Sequence, residues 1–115
     1  RDMNEFRFRL AERFIRDNFH HTLRLDDVAD RLHISGRQLQ RVIKRHTNKG
    51  FSEYLEEVRL AHIRKLLEQS DDTLESIALQ CGYSSGAYLQ YAFKKKWGIT
   101  PGEYRRQYKR QNTAL

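Results

Sequence analysis

The sequence predicts an all-α fold of about seven helices, with two helix-turn-helix subdomains joined by a long central helix. Three observations carry that prediction. Gly and Pro are scarce, six and one among 115 residues, so little of the chain is punctuated by turns. Apolar residues recur at helical spacing along most of the sequence. And the second half re-uses the plan of the first. Leu25, Val28, Ala29, Ile34 and Ser35 match Leu74, Ile77, Ala78, Tyr83 and Ser84 at an offset of 49. Leu39, Gln40, Ile43, Lys44 and Tyr54 match Leu89, Gln90, Phe93, Lys94 and Tyr104 at an offset of 50. One inserted residue near Ser85–Gly86 reconciles the two.

The first helix is expected over 4–18, where Met3, Phe6, Leu10 and Phe14 with Ala11, Ile15 and Phe19 form a broad apolar stripe. His20 and His21 close it, favoured near a helix C-terminus. They lack a partner at metal-ligand spacing. A short helix over 25–32 carries Asp26 and Asp27 in its first turn, where negative charge is favoured. Another follows over 35–46, with Ser35 and Gln38 spaced as a capping box. Between them His33, like Gly82 in the second copy, falls where a tight turn needs left-handed backbone. Asn48 and Gly98 fall just past the next helix, where the same conformation caps it. Small Ala29 and Ala78 suit a close crossing of helices.

The central helix is expected over 51–70, its stripe drawn from Phe51, Tyr54, Leu55, Val58, Ala61, Leu66 and Leu67. Some 19 residues at about 1.5 Å each span roughly 28 Å. Shorter helices are expected over 74–81 and 85–98. Thr100, Pro101 and Glu103 then combine an N-cap, a proline at the first helical position and a capping-box acid. This divides the chain into 1–50, a linker helix over 51–70, and 71–115.

The formal charge is +7 and the pI about 9.8, which favours a polyanionic partner, nucleic acid before an anionic membrane surface. The charge is uneven. Arg31 to Ser52 holds six Lys or Arg and no acid, and Ser76 to Gly102 holds three Lys and no acid, whereas seven of fifteen acids lie between Glu53 and Glu75. One cysteine, Cys81, excludes an internal disulfide and suits a reducing compartment. No apolar run approaches the ~18 residues of a membrane span, and no signal peptide is visible. A glycine-rich phosphate loop, a Cys–His pair at metal spacing and a Ser/His/acid set are missing from the pattern, so neither an enzyme nor a cofactor is expected.

The stretch SGRQLQRVIKRH (35–46) concentrates the basic character. At about 100° per residue, Arg37, Gln40, Arg41 and Lys44 share one face, while Leu39, Val42, Ile43 and His46 share the opposite, core face. Arginine pairs bidentately with guanine and glutamine with adenine, although contact with phosphate or solvent alone is the plainer alternative. The second copy offers Ala87, Gln90, Tyr91 and Lys94, preceded by Ser85 and Gly86. Only Gln90 is a good amide reader there. Phe93, Trp97, Tyr83 and Cys81 are expected in the core, and Arg59 is open between DNA and a nearby acid.

VADRLHISGRQLQRVIK, FSEYLEEVRLAHIRKLL and IALQCGYSSGAYLQYAFKKKWGITPGEYR together resemble the DNA-binding region of AraC/XylS-type transcription activators, from about Leu25 to Tyr108. The last stretch is the most specific, through Gly82-Tyr83-Ser84 and Gly98-Ile99-Thr100-Pro101. The resemblance implies a bacterial, cytoplasmic, nucleoid-associated protein whose two second helices enter successive major-groove segments of double-stranded DNA. It implies base reading by Gly36, Arg37, Gln38, Gln40 and Arg41, and by Gly86, Ala87, Gln90 and Tyr91. Tyr91 stands where the family commonly has a basic residue. Phosphate contact is expected from Ser35, Lys44, Arg45, Lys49, Ser84, Ser85, Lys94, Lys95, Lys96 and Thr100. RNA polymerase is implied as a partner. With Arg1 rather than Met at its start, the chain reads as the C-terminal part of a longer regulator bearing an effector or dimerisation domain. The rival is a basic helical module that docks an acidic protein; a membrane-surface role would need an exposed basic-apolar helix.

Overall fold

The computed structural model describes residues 3–113. Seven helices make up the order: α1 Met3–Asn18, α2 Leu25–Leu32, α3 Gly36–Thr47, α4 Phe51–Gln69, α5 Leu74–Gln80, α6 Gly86–Trp97 and α7 Pro101–Thr113. The described residues hold no strand. The chain divides into two compact units, one ending at Val58 and the other beginning at Arg59. The boundary falls inside α4 rather than at its ends, so the central helix is shared between the units.

In the first unit, α1, α2 and α3 pack around Phe8, Ala11, Ile15, Val28, Leu39, Val42 and Ile43, all nearly inaccessible to solvent. Each such large apolar side chain contributes about 1.5–3 kcal/mol on burial. Phe8 stacks face to face on His46, ring centroids 4.6 Å apart, and tilts against Tyr54 at 6.0 Å. His46 Nδ1 lies 3.0 Å from the Val42 carbonyl. The expected stripe on α1 was too broad. Met3 and Phe6 are more than half exposed and Leu10 39% exposed, because α2 and α3 cover only the Phe8–Ala11–Ile15 side.

In the second unit, α5, α6 and α7 surround Ile77, Ala78, Cys81, Leu89, Ala92, Phe93 and Pro101. Trp97 and Tyr104 flank Phe93 at 4.6 and 5.8 Å, and the Arg64 guanidinium lies over both of those rings at 5.2 and 5.5 Å. Arg105 ties α7 to the end of α4, donating to the carbonyls of Leu67, Ser70 and Asp72.

The single stripe drawn along α4 does not survive. Phe51, Tyr54 and Leu55 are buried at its start, but Leu60, Ile63 and Leu67 at its end, and Ala61 is exposed. The two sets do not share a stripe because they serve different units.

The turn chemistry is the same in both units. The Ile34 N–H donates to the Ala29 carbonyl at 3.1 Å, and the Tyr83 N–H to that of Ala78 at 2.9 Å. His33 and Gly82 are left-handed at φ 57° and 88°, as are Asn48 and Gly98 at 62° and 82°. The two non-glycines are types that tolerate this region comparatively well. Asn48 and Gly98 donate to Lys44 and Lys94, at 2.8 and 2.7 Å, closing α3 and α6 alike.

Candidate nucleic-acid interface

Each unit presents the second helix of its pair with one face buried and the other open. In the first, Ser35 caps α3. Its hydroxyl accepts from the Gln38 N–H at 3.1 Å, and its own N–H donates to the Gln38 side chain at 3.0 Å. Gly36 then starts α3 hard against α2: a Cβ there would come within 2.7 Å of Asp26 Oδ1. Asp26 and Glu75 are repeat partners, and the second unit does the same thing. A Cβ at Gly86 would lie 2.9 Å from Glu75 Oε1, which accepts the Gly86 N–H at 3.0 Å. Gly86 is buried. The two glycines thus let each second helix begin close to its predecessor, and offer no side chain of their own to a ligand.

On α3, Arg37, Gln40, Arg41, Lys44 and Arg45 are exposed, while Gln38 is half-buried by its capping role. Arg37, Arg41 and Arg45 make no ion pair among the described residues. Lys44 reaches only the Asn48 carbonyl, at 3.4 Å. The open side of the helix is basic without internal neutralisation, and three guanidinium forks remain available to an external acceptor.

The corresponding surface of α6 differs. Ala87, Gln90, Tyr91, Lys94, Lys95 and Lys96 are exposed, with Tyr91 at 60%. Tyr88, absent from the expected site, is 46% exposed and joins a ladder of rings. Tyr83 meets it at 5.3 Å and Tyr91 at 6.1 Å. Lys95 lies over Tyr91 at 5.8 Å, and Arg59 over Tyr83 at 5.9 Å. At an offset of 50, Tyr88, Tyr91 and Lys95 stand where α3 has Gln38, Arg41 and Arg45. The signal that could have found Tyr88 is the repeat, which pairs it with Gln38.

The remaining expected phosphate ligands fall into two groups. Ser85 accepts from the Tyr88 N–H at 3.2 Å, and Thr100 from the Glu103 N–H at 3.1 Å, whereas the Ser35 hydroxyl also donates to Gln38 Oε1 at 3.4 Å. Ser84 is exposed. Lys49 is already engaged, its ammonium 3.4 Å from Glu57. Glu103 accepts the Thr100 N–H at 2.9 Å, and that hydrogen bond holds its carboxyl below the usual range. No group of three or more His, Cys, Asp or Glu among the described residues could hold a metal. No described helix is long and apolar enough to cross a membrane.

Two helix-turn-helix units, each with a polar, cationic outer face on its second helix, define a DNA-binding domain of a transcription regulator. Comparison with known proteins identifies the family. The profile of the family described as "Helix-turn-helix domain" matches residues 28–107. The transcriptional regulator ArgR of Pseudomonas aeruginosa is 37% identical over 90 residues, which are 78% of this chain and 27% of that protein. The crystal structure of an AraC-type DNA-binding-domain regulator from Chromobacterium violaceum superposes with a TM-score of 0.87 at 33% identity, covering 90% of this chain and 93% of the other. The DNA-binding domain of the global transcriptional factor AdpA, solved with a target DNA, superposes with a TM-score of 0.82 at 25% identity, covering 91% and 94%. The chain belongs to the AraC-type helix-turn-helix family of regulator DNA-binding domains. It spans about a third or less of the length of the first curated relatives it matches.

Proposed function

We propose that the chain binds double-stranded DNA sequence-specifically, with α3 and α6 in successive major-groove segments and the whole acting as the DNA-reading part of a transcription activator. The observation that carries this reading is the open face of α3, where Arg37, Arg41 and Arg45 point outward without a carboxylate partner. Arg37 and Gln40 are the base readers, since they combine exposure with planar two-point hydrogen bonding. Arg41 reads at the edge of that face. Lys44, Arg45, Lys94 and Lys96 take phosphates, and the cap hydroxyls of Ser85 and Thr100 donate to phosphates at the helix starts.

The second unit works differently. Gln90 is the one amide reader on α6, and Tyr88 and Tyr91 offer ring surface suited to thymine methyl groups. Direct readout is therefore concentrated in the first unit, and the second contributes position and apolar contact. By likeness to the full-length regulators, the domain serves a bacterial protein with a further effector or dimerisation domain, and activation involves RNA polymerase.

The alternative, a module that docks an acidic protein, predicts equal affinity for all duplexes. Fluorescence anisotropy of a labelled selected duplex, competed by unlabelled scrambled DNA across a salt series, separates the two. Specific binding gives strong preference and a falling log K with log salt. Equal competition by both DNAs overturns the proposal.

A further inference from the structure

Between α1 and α3 lies an open cleft of about 330 Å³, lined by Asn4 and Arg7 from α1 and by Gln38, Arg41, Val42 and Arg45 from α3. Three of its six lining residues are arginines, two are amides, and none is an acid. Like Arg41 and Arg45, Arg7 makes no ion pair among the described residues. Of the other α1 arginines, Arg13 also makes no ion pair among the described residues but does not line the cleft. Arg9 and Arg16 pair with Glu12, at 3.1 and 3.6 Å. Leaving three like charges around one small hollow is unfavourable by mutual repulsion, and an anion seated among them removes that penalty. Guanidinium forks match the oxygens of a phosphate in particular.

We propose that this cleft is a phosphate seat and that it takes a phosphodiester of the DNA strand beside the groove occupied by α3. Arg7 is then a DNA-anchoring residue on α1, outside the α2–α3 and α5–α6 helix pairs. Placement favours DNA as the source of the phosphate. Gln38, Arg41 and Arg45 form the α1-side flank of the helix whose adjoining face carries Arg37 and Gln40, so a strand alongside that face runs past the cleft. Val42 supplies an apolar floor, which lowers the local dielectric and strengthens the charge-assisted bonds above it. The second unit has no equivalent flank: Tyr88, Tyr91 and Lys95 occupy the matching positions, so the anchor belongs to the first half-site alone.

The inference rests on the DNA-binding reading, and the test keeps the two apart. Neutral methylphosphonates are placed one at a time along both strands of a selected duplex, and affinity is measured for wild type, Arg7→Ala and Arg7→Lys, whose folding is checked by circular dichroism. One position beside the first half-site weakens wild-type binding about fivefold, and that position no longer matters to Arg7→Ala. Arg7→Ala also lowers the slope of log K against log salt by roughly 0.9, one phosphate's worth, while Arg7→Lys keeps the slope and loses part of the affinity. Two results overturn the cleft assignment while leaving DNA binding intact. One is an unaltered slope and phosphate pattern in Arg7→Ala. The other is micromolar binding of inorganic pyrophosphate at Arg7 that persists on the saturated duplex, which marks a free-anion site. Failure of the wild type to prefer any duplex overturns the proposed function itself.

Discussion

Replacing Arg37 by Ala is the sharpest single perturbation of the proposed reader. Arg37 lies in the first turn of α3, is exposed, and makes no ion pair among the described residues. Its removal therefore breaks no internal contact, opens no cavity, and replaces one strong helix former by another. The folding free energy should stay within about 0.5 kcal/mol of wild type, so any loss of affinity belongs to the interface. A guanidinium bound bidentately to guanine contributes about 1–3 kcal/mol of discrimination, equivalent to a factor of roughly 5 to 150. The assay is anisotropy with the selected duplex and with single base-pair replacements across the first half-site. Wild type should lose that factor at one guanine, and Arg37→Ala should be indifferent to which base stands there. A uniform loss over all duplexes would refute base reading and make Arg37 a phosphate contact. A loss below twofold would mean that Arg37 remains in solvent. The repeat supplies the converse: Ala87 holds the same place in α6, and Ala87→Arg should add a guanine preference in the second half-site.

Other consequences follow from the second unit. Replacing thymine by uracil under α6 removes only a methyl group, and should weaken wild type severalfold but leave Tyr91→Ala unchanged; equal sensitivity in both proteins would remove Tyr91 from the interface. Cys81 is fully buried, and burial pushes its thiol up to about 11, so a disulfide reagent should modify it only as fast as the second unit opens. Urea should accelerate that reaction by orders of magnitude, and rapid labelling of the native chain would contradict the packing of α5 against α6. The Glu103 carboxyl is held below its ordinary 4.5 by the Thr100 N–H, so its charge stabilises the fold above that value, and this contribution is lost as pH falls through the depressed folded-state value. Glu103→Gln keeps the capping geometry without the charge. Its thermal-stability difference from wild type should be constant near neutrality and vanish in acid, and a difference that grows in acid would reverse the sign.

Much of this architecture is legible in the sequence because the chain states it twice. His33 aligned with Gly82, and Asn48 with Gly98, mark places where backbone geometry selects the residue, and all four are left-handed. The Ser35–Gln38 and Thr100–Glu103 boxes are equally local and equally readable. What periodicity leaves open is which apolar face a helix buries. Met3, Phe6 and Leu10 continue the α1 stripe but stay exposed, since no neighbour covers them. The residues of α4 answer to two cores, and one stripe cannot describe both. The interface shows the same limit. The outer face of α3 follows from its own periodicity. The cleft does not, because Arg7 joins Arg41 and Arg45 only when α1 packs beside α3. Tyr88 is missing from the expected site, and it rests edge-on against Tyr83 with nearly half its surface in solvent.

The central claim is that two units of one chain read two segments of one duplex, the first in more detail than the second. Selection of bound sequences from a random duplex pool tests it most directly. The account predicts two blocks of enriched bases about one helical turn, roughly 10 base pairs, apart. The block assigned to α3 by its response to Arg37→Ala should be guanine- and adenine-specified, and the other should be weaker and thymine-rich. A single block, two blocks of equal information, or no enrichment over the starting pool would contradict it.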